Sequence, residues 1–286
     1  MRPAAMRPGW RRAVRTRLGW MSAGAMQLSR ARVRAGAGLV VRETFATGLG
    51  LLAADRGGLV GKQPLVVLAP HPDDETLGCG ATIARAAALG APVVVVVATA
   101  GEAWQPGSGQ DRKALAATRE EELARACARL GVRGEDIVQL GLPDGSLATC
   151  EEELERGVRD VVWRLGAERP PLVLTTAESD PHPDHAALGR VARRLSAELG
   201  LVRYEYPIWQ WKRPGGCWTL LAWGDGGRPV KVSTRGFLAS KEAALAAHRS
   251  QLLPELGGDG PSVLGRRFAQ AFLRANELFV EHSAPR

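Results

Sequence analysis

Residues 65–99 read LVVLAPHPDDETLGCGATIARAAALGAPVVVVVAT. The apolar run Leu65–Ala69 is too short for a helix and stops at Pro70, so it reads as a buried strand. A helical pattern follows over Thr76–Leu89, and Gly90 closes it, as glycine does at helix C-termini. Pro92–Thr99 is a second, valine-rich strand. Neither strand alternates apolar with polar residues, which implies a sheet covered on both faces. Two such strands joined through a helix make a right-handed crossover and lie parallel.

The same alternation continues downstream. Gly101–Gln110 is a Gly/Pro/Ser-rich loop, Asp111–Leu130 a helix and Ile137–Leu140 a third strand. Glu151–Leu165 is helical, Leu172–Thr176 a strand, Asp184–Leu199 a helix and Tyr204–Trp211 a fifth strand. The pattern predicts an α/β protein with a Rossmann-like three-layer fold and a mostly parallel sheet. In such sheets the ligand sits beyond the C-terminal ends of the strands, near a switch in strand order, so the active site is expected there. The strand-end segments are Pro70–Glu75, Thr99–Glu102, Pro143–Gly145 and Asp180–His185. His71, His182 and His185, three of the five histidines, fall on that one rim among several carboxylates.

His71, Asp74 and His185 have the chemical types of a mononuclear metal site. Two imidazoles and one carboxylate bind Zn²⁺ or Fe²⁺ and leave positions open for water and substrate. Pro72, Pro181 and Pro183 stiffen the two loops by fixing φ. Asp73 and Asp74 are adjacent, so their side chains diverge: one can bind a metal while the other accepts a proton. Each piece alone has a plainer explanation. His-Pro-Asp is a common turn, and Asp-Asp-Glu ahead of a helix caps it and offsets its dipole. Their collection at two strand ends of one sheet favours a functional site.

His-Pro-Asp-Asp-Glu at 71–75, followed by His-Pro-Asp-His at 182–185, resembles the PIG-L/LmbE-like family of zinc-dependent de-N-acetylases. That family includes the N-acetylglucosaminyl-phosphatidylinositol, mycothiol and bacillithiol deacetylases. The resemblance runs from about Leu65 to Gln251. It takes in Thr-x-Gly-Glu at 99–102, Arg-x-x-Glu-Leu at 119–123, Gly-Leu-Pro-Asp-Gly at 141–145 and Lys-x-x-Ala-Leu-x-x-His-x-Ser-Gln at 241–251. It implies that His71, Asp74 and His185 bind the metal: Zn²⁺, with Fe²⁺ or another divalent ion as alternative. It implies Asp73 as general base and His182, as imidazolium favoured by the neighbouring Asp184, as stabiliser of the oxyanion. Arg119, Asp144 and Gln251 would hold substrate or shape the pocket. The implied substrate is a small N-acetylated sugar or glycoconjugate of the N-acetylglucosamine type, and the alternative is another amide or acylated sugar. Certain members carry a tyrosine shortly before His-Pro-Asp-His, where this chain has Glu178, Ser179 and Asp180.

The 286 residues carry a net charge of +8, which is unevenly spread. Residues 1–42 hold ten arginines and no acidic residue, and the remainder is slightly acidic. A near-neutral body carries no electrostatic footprint for nucleic acid, and no nucleic-acid partner is expected. Residues 1–60 read as a basic arm, helical or partly ordered, ahead of a deacetylase-like domain at 61–286. The arm has three readings: a tail for anionic lipid or nucleic acid, giving peripheral membrane contact; a start codon placed too early, since all four methionines lie within residues 1–26; or an amphipathic helix. Arginines interrupt it throughout, so it does not read as a secretory signal. No apolar run reaches the roughly 20 residues of a membrane span. Cys79, Cys127, Cys150 and Cys217 form no Cys-x-x-Cys pair, which argues against a zinc knuckle and for a reducing cytoplasm.

Tyr204, Tyr206, Trp209, Trp211, Trp218 and Trp223 crowd one segment, where core packing is favoured over sugar stacking and residues 212–216 read as a hairpin turn. His248 follows a helical stretch beginning at Lys241, and the family pattern makes it a candidate for lining the pocket. Cys79 reads as a small packing residue and His282 as solvated.

Overall fold

A computed structural model describes residues 53–56, 61, 63–103, 111–166, 169–212, 226–252 and 263–283. Among these, eight strands form one sheet: β1 (Ala54–Asp55), β2 (Leu65–Ala69), β3 (Val93–Val97), β4 (Ile137–Gln139), β5 (Leu172–Thr176), β6 (Arg203–Tyr206), β7 (Arg228–Ser233) and β8 (Asn276–His282). The helices are α1 (Asp74–Ala88), α2 (Arg112–Arg129), α3 (Glu151–Leu165), α4 (Pro183–Leu199), α5 (Leu238–Leu245), α6 (Arg249–Leu252) and α7 (Arg266–Gln270). The sheet order is β1-β7-β8-β6-β5-β2-β3-β4. All neighbours are parallel except β8, which runs antiparallel to both β6 and β7. The expected α/β architecture with a mostly parallel sheet is present.

β2 pairs with β3 on one side and β5 on the other. The chain therefore steps outward through β3 and β4 before returning to the far side of β2. That reversal opens a crevice beyond the C-terminal ends of β2 and β5. His71–Glu75 leave β2 and Asp180–His185 follow β5, so the two histidine motifs emerge side by side. One face of the sheet is sealed by α3 and α4, whose Leu154, Val158, Val161, Leu188, Val191 and Leu195 are buried against Val66, Leu68, Val96 and Val173.

The fifth strand is shorter than the sequence suggests. It ends at Tyr206, and Trp209–Lys212 form a 3₁₀ turn. Pro207 has no N–H to continue the ladder. The Asp180 carboxylate then accepts the Trp209 amide at 3.0 Å and draws the chain across the strand ends. Tyr204, Tyr206 and Trp211 are buried, as core packing requires, whereas Trp209 lines a pocket. Trp218, Trp223, Cys217 and most of the 212–216 turn lie outside the described residues, as do the loop at 104–110 and residues 1–52 of the basic arm. Ala54 and Asp55, placed in the arm by sequence, pair with Val230 and Lys231, so the sheet begins before residue 61.

α1 is two helical segments joined at Cys79, whose φ of −143° and ψ of 21° are not helical. The break exposes backbone groups that other elements satisfy. Glu277 of β8 accepts the amides of Ala81 and Thr82, each at 2.8 Å, and Lys241 of α5 donates to Leu77 O at 2.7 Å. Lys241 and Glu277 pair with each other at 2.7 Å, both fully buried. Tyr206 packs so closely on Gly78 that any Cβ there would enter the ring. Lys241→Met should destabilise the fold by about 3–5 kcal/mol in urea unfolding, because it strands a buried carboxylate. Adding Glu277→Gln should recover part of that loss.

Candidate metal centre and pocket

The first motif lies on a turn that continues into α1. Asp73 occupies the N-cap position, where its carbonyl accepts Leu77 N at 2.8 Å, but its side chain makes no capping bond. Its φ of +130° is unique among the described non-glycine residues, and a left-handed backbone here costs on the order of 1–3 kcal/mol. In the second motif His182 caps α4, its Nδ1 accepting Asp184 N at 3.3 Å, with Pro183 in the first turn.

Three donors converge between the motifs. Asp74 Oδ2 lies 3.3 Å from His71 Nδ1 and 3.3 Å from His185 Nε2. Ligands about 2.0–2.1 Å from a tetrahedral ion stand roughly 3.3–3.4 Å apart, a spacing that these two separations match. The outer nitrogens fix the tautomers. His71 Nε2 lies 3.1 Å from Asp144 Oδ1 and 3.2 Å from Asp184 Oδ2, while His185 Nδ1 faces Asp180 Oδ1 at 3.6 Å. Carboxylates behind both imidazoles favour an N–H on the outer nitrogen, which in a neutral ring leaves the inner lone pair for an ion. Both ring nitrogens of His185 are buried without a hydrogen-bond partner, and Nε2 is the one that faces Asp74. Two groups bring one ligand atom each within 4.8 Å of one another: His71, His182 and His185, and His71, Asp144 and Asp184. His182 Nδ1 is engaged by a backbone amide and His71 Nε2 by two carboxylates, which leaves His71 Nδ1, Asp74 Oδ2 and His185 Nε2, with His182 in the same cluster, as donors that could hold a divalent ion.

Electrostatics agree with that geometry. Burial works against ionising Asp74, yet His185 and His71 hold its carboxyl well below the usual range. Burial would lower the His185 pKa, but Asp74 and Asp180 outweigh it and raise it to about 9. Such a stack of charged imidazoles against carboxylates is what a bound cation would replace. Asp73 behaves oppositely: burial, reinforced by the Asp74 and Glu75 charges, pushes its pKa up to about 8.

His71, Asp73, Asp74, Arg119, Asp144, His182 and Gln251 line one cavity of about 510 Å³, together with Ile208, Trp209, Lys212, Val263 and Leu264. His185 and Asp184 are fully buried behind it. All nine residues expected from sequence thus gather at one place, with two changes of detail. Asp184 turns its carboxylate to His71 and accepts the amides of Gly145 at 2.7 Å and Leu147 at 3.0 Å, and its charge favours an imidazolium at His182 but is outweighed. Burial, with the His71 and His185 charges, lowers the His182 pKa to about 4 in the metal-free site; with Nδ1 accepting the Asp184 amide, a neutral ring carries its proton on Nε2. Gln251 donates its amide to Pro72 O, steadying the first motif. Arg119 is buried and donates to Gly101 O; Gly101, at φ +71°, passes so close to the guanidinium that a side chain would collide with it.

Asp180 was not singled out from sequence. Besides facing His185, it accepts the amides of His182 and Trp209, each at 3.0 Å. Only its place two residues before His182 hinted at this. Asp180→Ala should weaken zinc binding about 10–100-fold in competition with a chelating dye. His282, expected to be solvated, is largely buried near Glu205 at 3.5 Å. Cys79 is a buried packing residue.

Fold and site together define a class: a doubly wound α/β protein with a cluster of histidines and aspartates at its strand ends that could hold a metal ion. Residues 66–196 match the family model described as PIG-L, GlcNAc-PI de-N-acetylase. A 1D-myo-inositol 2-acetamido-2-deoxy-alpha-D-glucopyranoside deacetylase of Thermobispora bispora is 32% identical over 232 residues, 72% of this chain and 73% of that protein. The chain thereby belongs to the PIG-L family. The deacetylase of the same name from Thermobifida fusca is 32% identical over 51% of this chain, a match that spans 58% of that protein. The N,N'-diacetylchitobiose deacetylase of Pyrococcus horikoshii shares the fold, with a TM-score of 0.57 and 21% identity over 77% of this chain and 84% of that one.

Proposed function

We propose that the chain is a metal-dependent N-deacetylase acting on a 2-acetamido sugar within a glycoside or glycoconjugate. The observation that carries this reading is Asp73: a buried carboxylate free of capping duties that opens into the cavity beside three converging ligands. His71, Asp74 and His185 would hold Zn²⁺ or another divalent ion. Such an ion, when bound, lowers the pKa of a water to about 7 and polarises an acyl carbonyl. Asp73 takes the proton from the attacking water and can return it to the leaving amine, for which a pKa near neutrality suits both transfers. His182 presents its Nε2–H to the oxygen that gains charge as the amide carbon becomes tetrahedral. Asp184 and Asp144 orient His71, and Asp180 orients His185. Arg119 lines the wall near Asp73 and Asp144, as a donor for sugar hydroxyls.

The cavity volume of about 510 Å³ lies within the about 300–1,000 Å³ of small-molecule pockets and leaves room for a sugar with an attached group. The names of the relatives direct the first assay to 1D-myo-inositol 2-acetamido-2-deoxy-alpha-D-glucopyranoside, with N,N'-diacetylchitobiose and unrelated N-acyl amides alongside. Release of acetate from an acetamido sugar by zinc-loaded protein is the expected outcome. Turnover confined to unrelated amides would move the chain to a different amidase class. The buried thiols of Cys79 and Cys127 fit a reducing cytoplasm. No helix among the described residues is long and apolar enough to cross a membrane.

A further inference from the structure

The Asp73 side chain is available to the pocket because another carboxylate performs its expected task. An aspartate at a helix N-cap ordinarily bonds an amide of the first turn. Here the positive φ turns that side chain away, and Glu75 reaches back from the first turn to accept the Asp73 amide at 2.9 Å. The exchange resembles half of a capping box, in which an acidic side chain takes the N-cap amide. Glu75 is itself clamped. Its other oxygen accepts the Thr76 hydroxyl at 2.6 Å and faces His248 Nε2 at 3.2 Å. Glu75, Thr76 and His248 are fully buried, so no water competes for these bonds. His248 follows α5, and three residues later Gln251 grips Pro72 O. The segment 248–251 thus secures the first motif from both sides.

We infer that Glu75 and His248 are a positioning pair, holding the Asp73 backbone in its left-handed conformation so that its carboxylate faces the pocket. The inference deepens the reading of Asp73 as base and rests on it for its catalytic meaning. The structural half stands alone: the Glu75 bond is what balances the strained φ. Neither residue touches the cavity, so both act through Asp73.

The test uses the full chain, loaded with zinc, in four forms: parent, Glu75→Ala, Glu75→Gln and His248→Leu. Backbone hydrogen exchange at the Asp73 amide is the first readout. Glu75→Ala should speed it on the order of 10–100-fold, the opening expected from a lost charge-assisted hydrogen bond. Glu75→Gln, which keeps an acceptor oxygen, should restore most of the protection, and His248→Leu should fall between. The second readout is turnover of the inositol glycoside. Glu75→Ala should lower kcat on the order of 100-fold with KM and zinc content near the parent's, as a misplaced base would. Combined with Asp73→Asn it should cost nothing further, since both changes remove one function. An Asp73 amide that stays protected in Glu75→Ala would overturn the inference, as would losses that simply add to those of Asp73→Asn. If Asp73→Asn itself retains turnover, the base assignment fails while the exchange result still decides the bracing. Should Glu75→Ala not fold, His248→Leu carries the comparison: faster exchange at the Asp73 amide than in the parent and Glu75→Gln supports the bracing, and exchange equal to theirs overturns it.

Discussion

Asp73→Asn is expected to keep one zinc per chain and lose about 10²–10⁴ in kcat, which is the contribution of a general base. The substitution is nearly isosteric, the Asp73 carboxylate is not among the three converging donors, and its amide bond to Glu75 is unchanged. At 1.36 kcal/mol per tenfold the loss corresponds to about 3–5 kcal/mol of transition-state stabilisation. The same change should make the metal-free protein more stable. The folded carboxyl has its pKa pushed up to about 8, against about 3.9 in an unfolded chain. A group protonated more readily when folded supports the fold at low pH and loses that support as pH rises through the folded value. Melting curves of chelator-treated protein should therefore show Asp73→Asn above the parent, the gap widening between about pH 5 and pH 8. Equal turnover in parent and variant would end the general-base assignment. Equal melting at every pH would show that the carboxylate is relieved in some other way.

His185→Ala is expected to abolish both metal binding and turnover. His185 is the most deeply buried of the three donors, and its Nε2 has no partner other than the site itself. Removing it leaves Asp74 facing one imidazole and the Asp180 carboxylate held only by the His182 and Trp209 amides. Affinity should fall by more than the roughly 10–100-fold that follows loss of an outer partner. Calorimetric titration with zinc measures this, and circular dichroism separates it from unfolding. Retained affinity would mean that the ion is held elsewhere on the rim.

The sequence disclosed the half of the fold built from uninterrupted apolar strands, because β2, β3 and β5 are buried on both faces and look it. It concealed β7 and β8. Arg228–Ser233 contains a proline, and Asn276–His282 carries Glu277 and Glu281, charges that ordinarily argue against a buried strand. Their partners are Lys241, Arg56 and Arg228, brought from remote parts of the chain. The site was legible to the same degree and for a related reason. His71, Asp74 and His185 announce themselves by residue type and by their places at strand ends. Asp180 and Glu75 are ordinary acids until the fold sets a histidine beside each. Trp209 looked like a strand residue because nothing local shows that Asp180 will capture its amide. The sequence shows the Asp184 beside His182 but not the two imidazoles that it faces, whose charges lower its pKa.

The most direct test is elemental analysis of dialysed protein after zinc loading, run on the parent, Asp73→Asn and His185→Ala together. One zinc per chain in the parent and in Asp73→Asn, with none in His185→Ala, is the predicted result. Zinc retained by His185→Ala, or lost from Asp73→Asn, would contradict a site in which His71, Asp74 and His185 hold the ion and Asp73 stands free beside it.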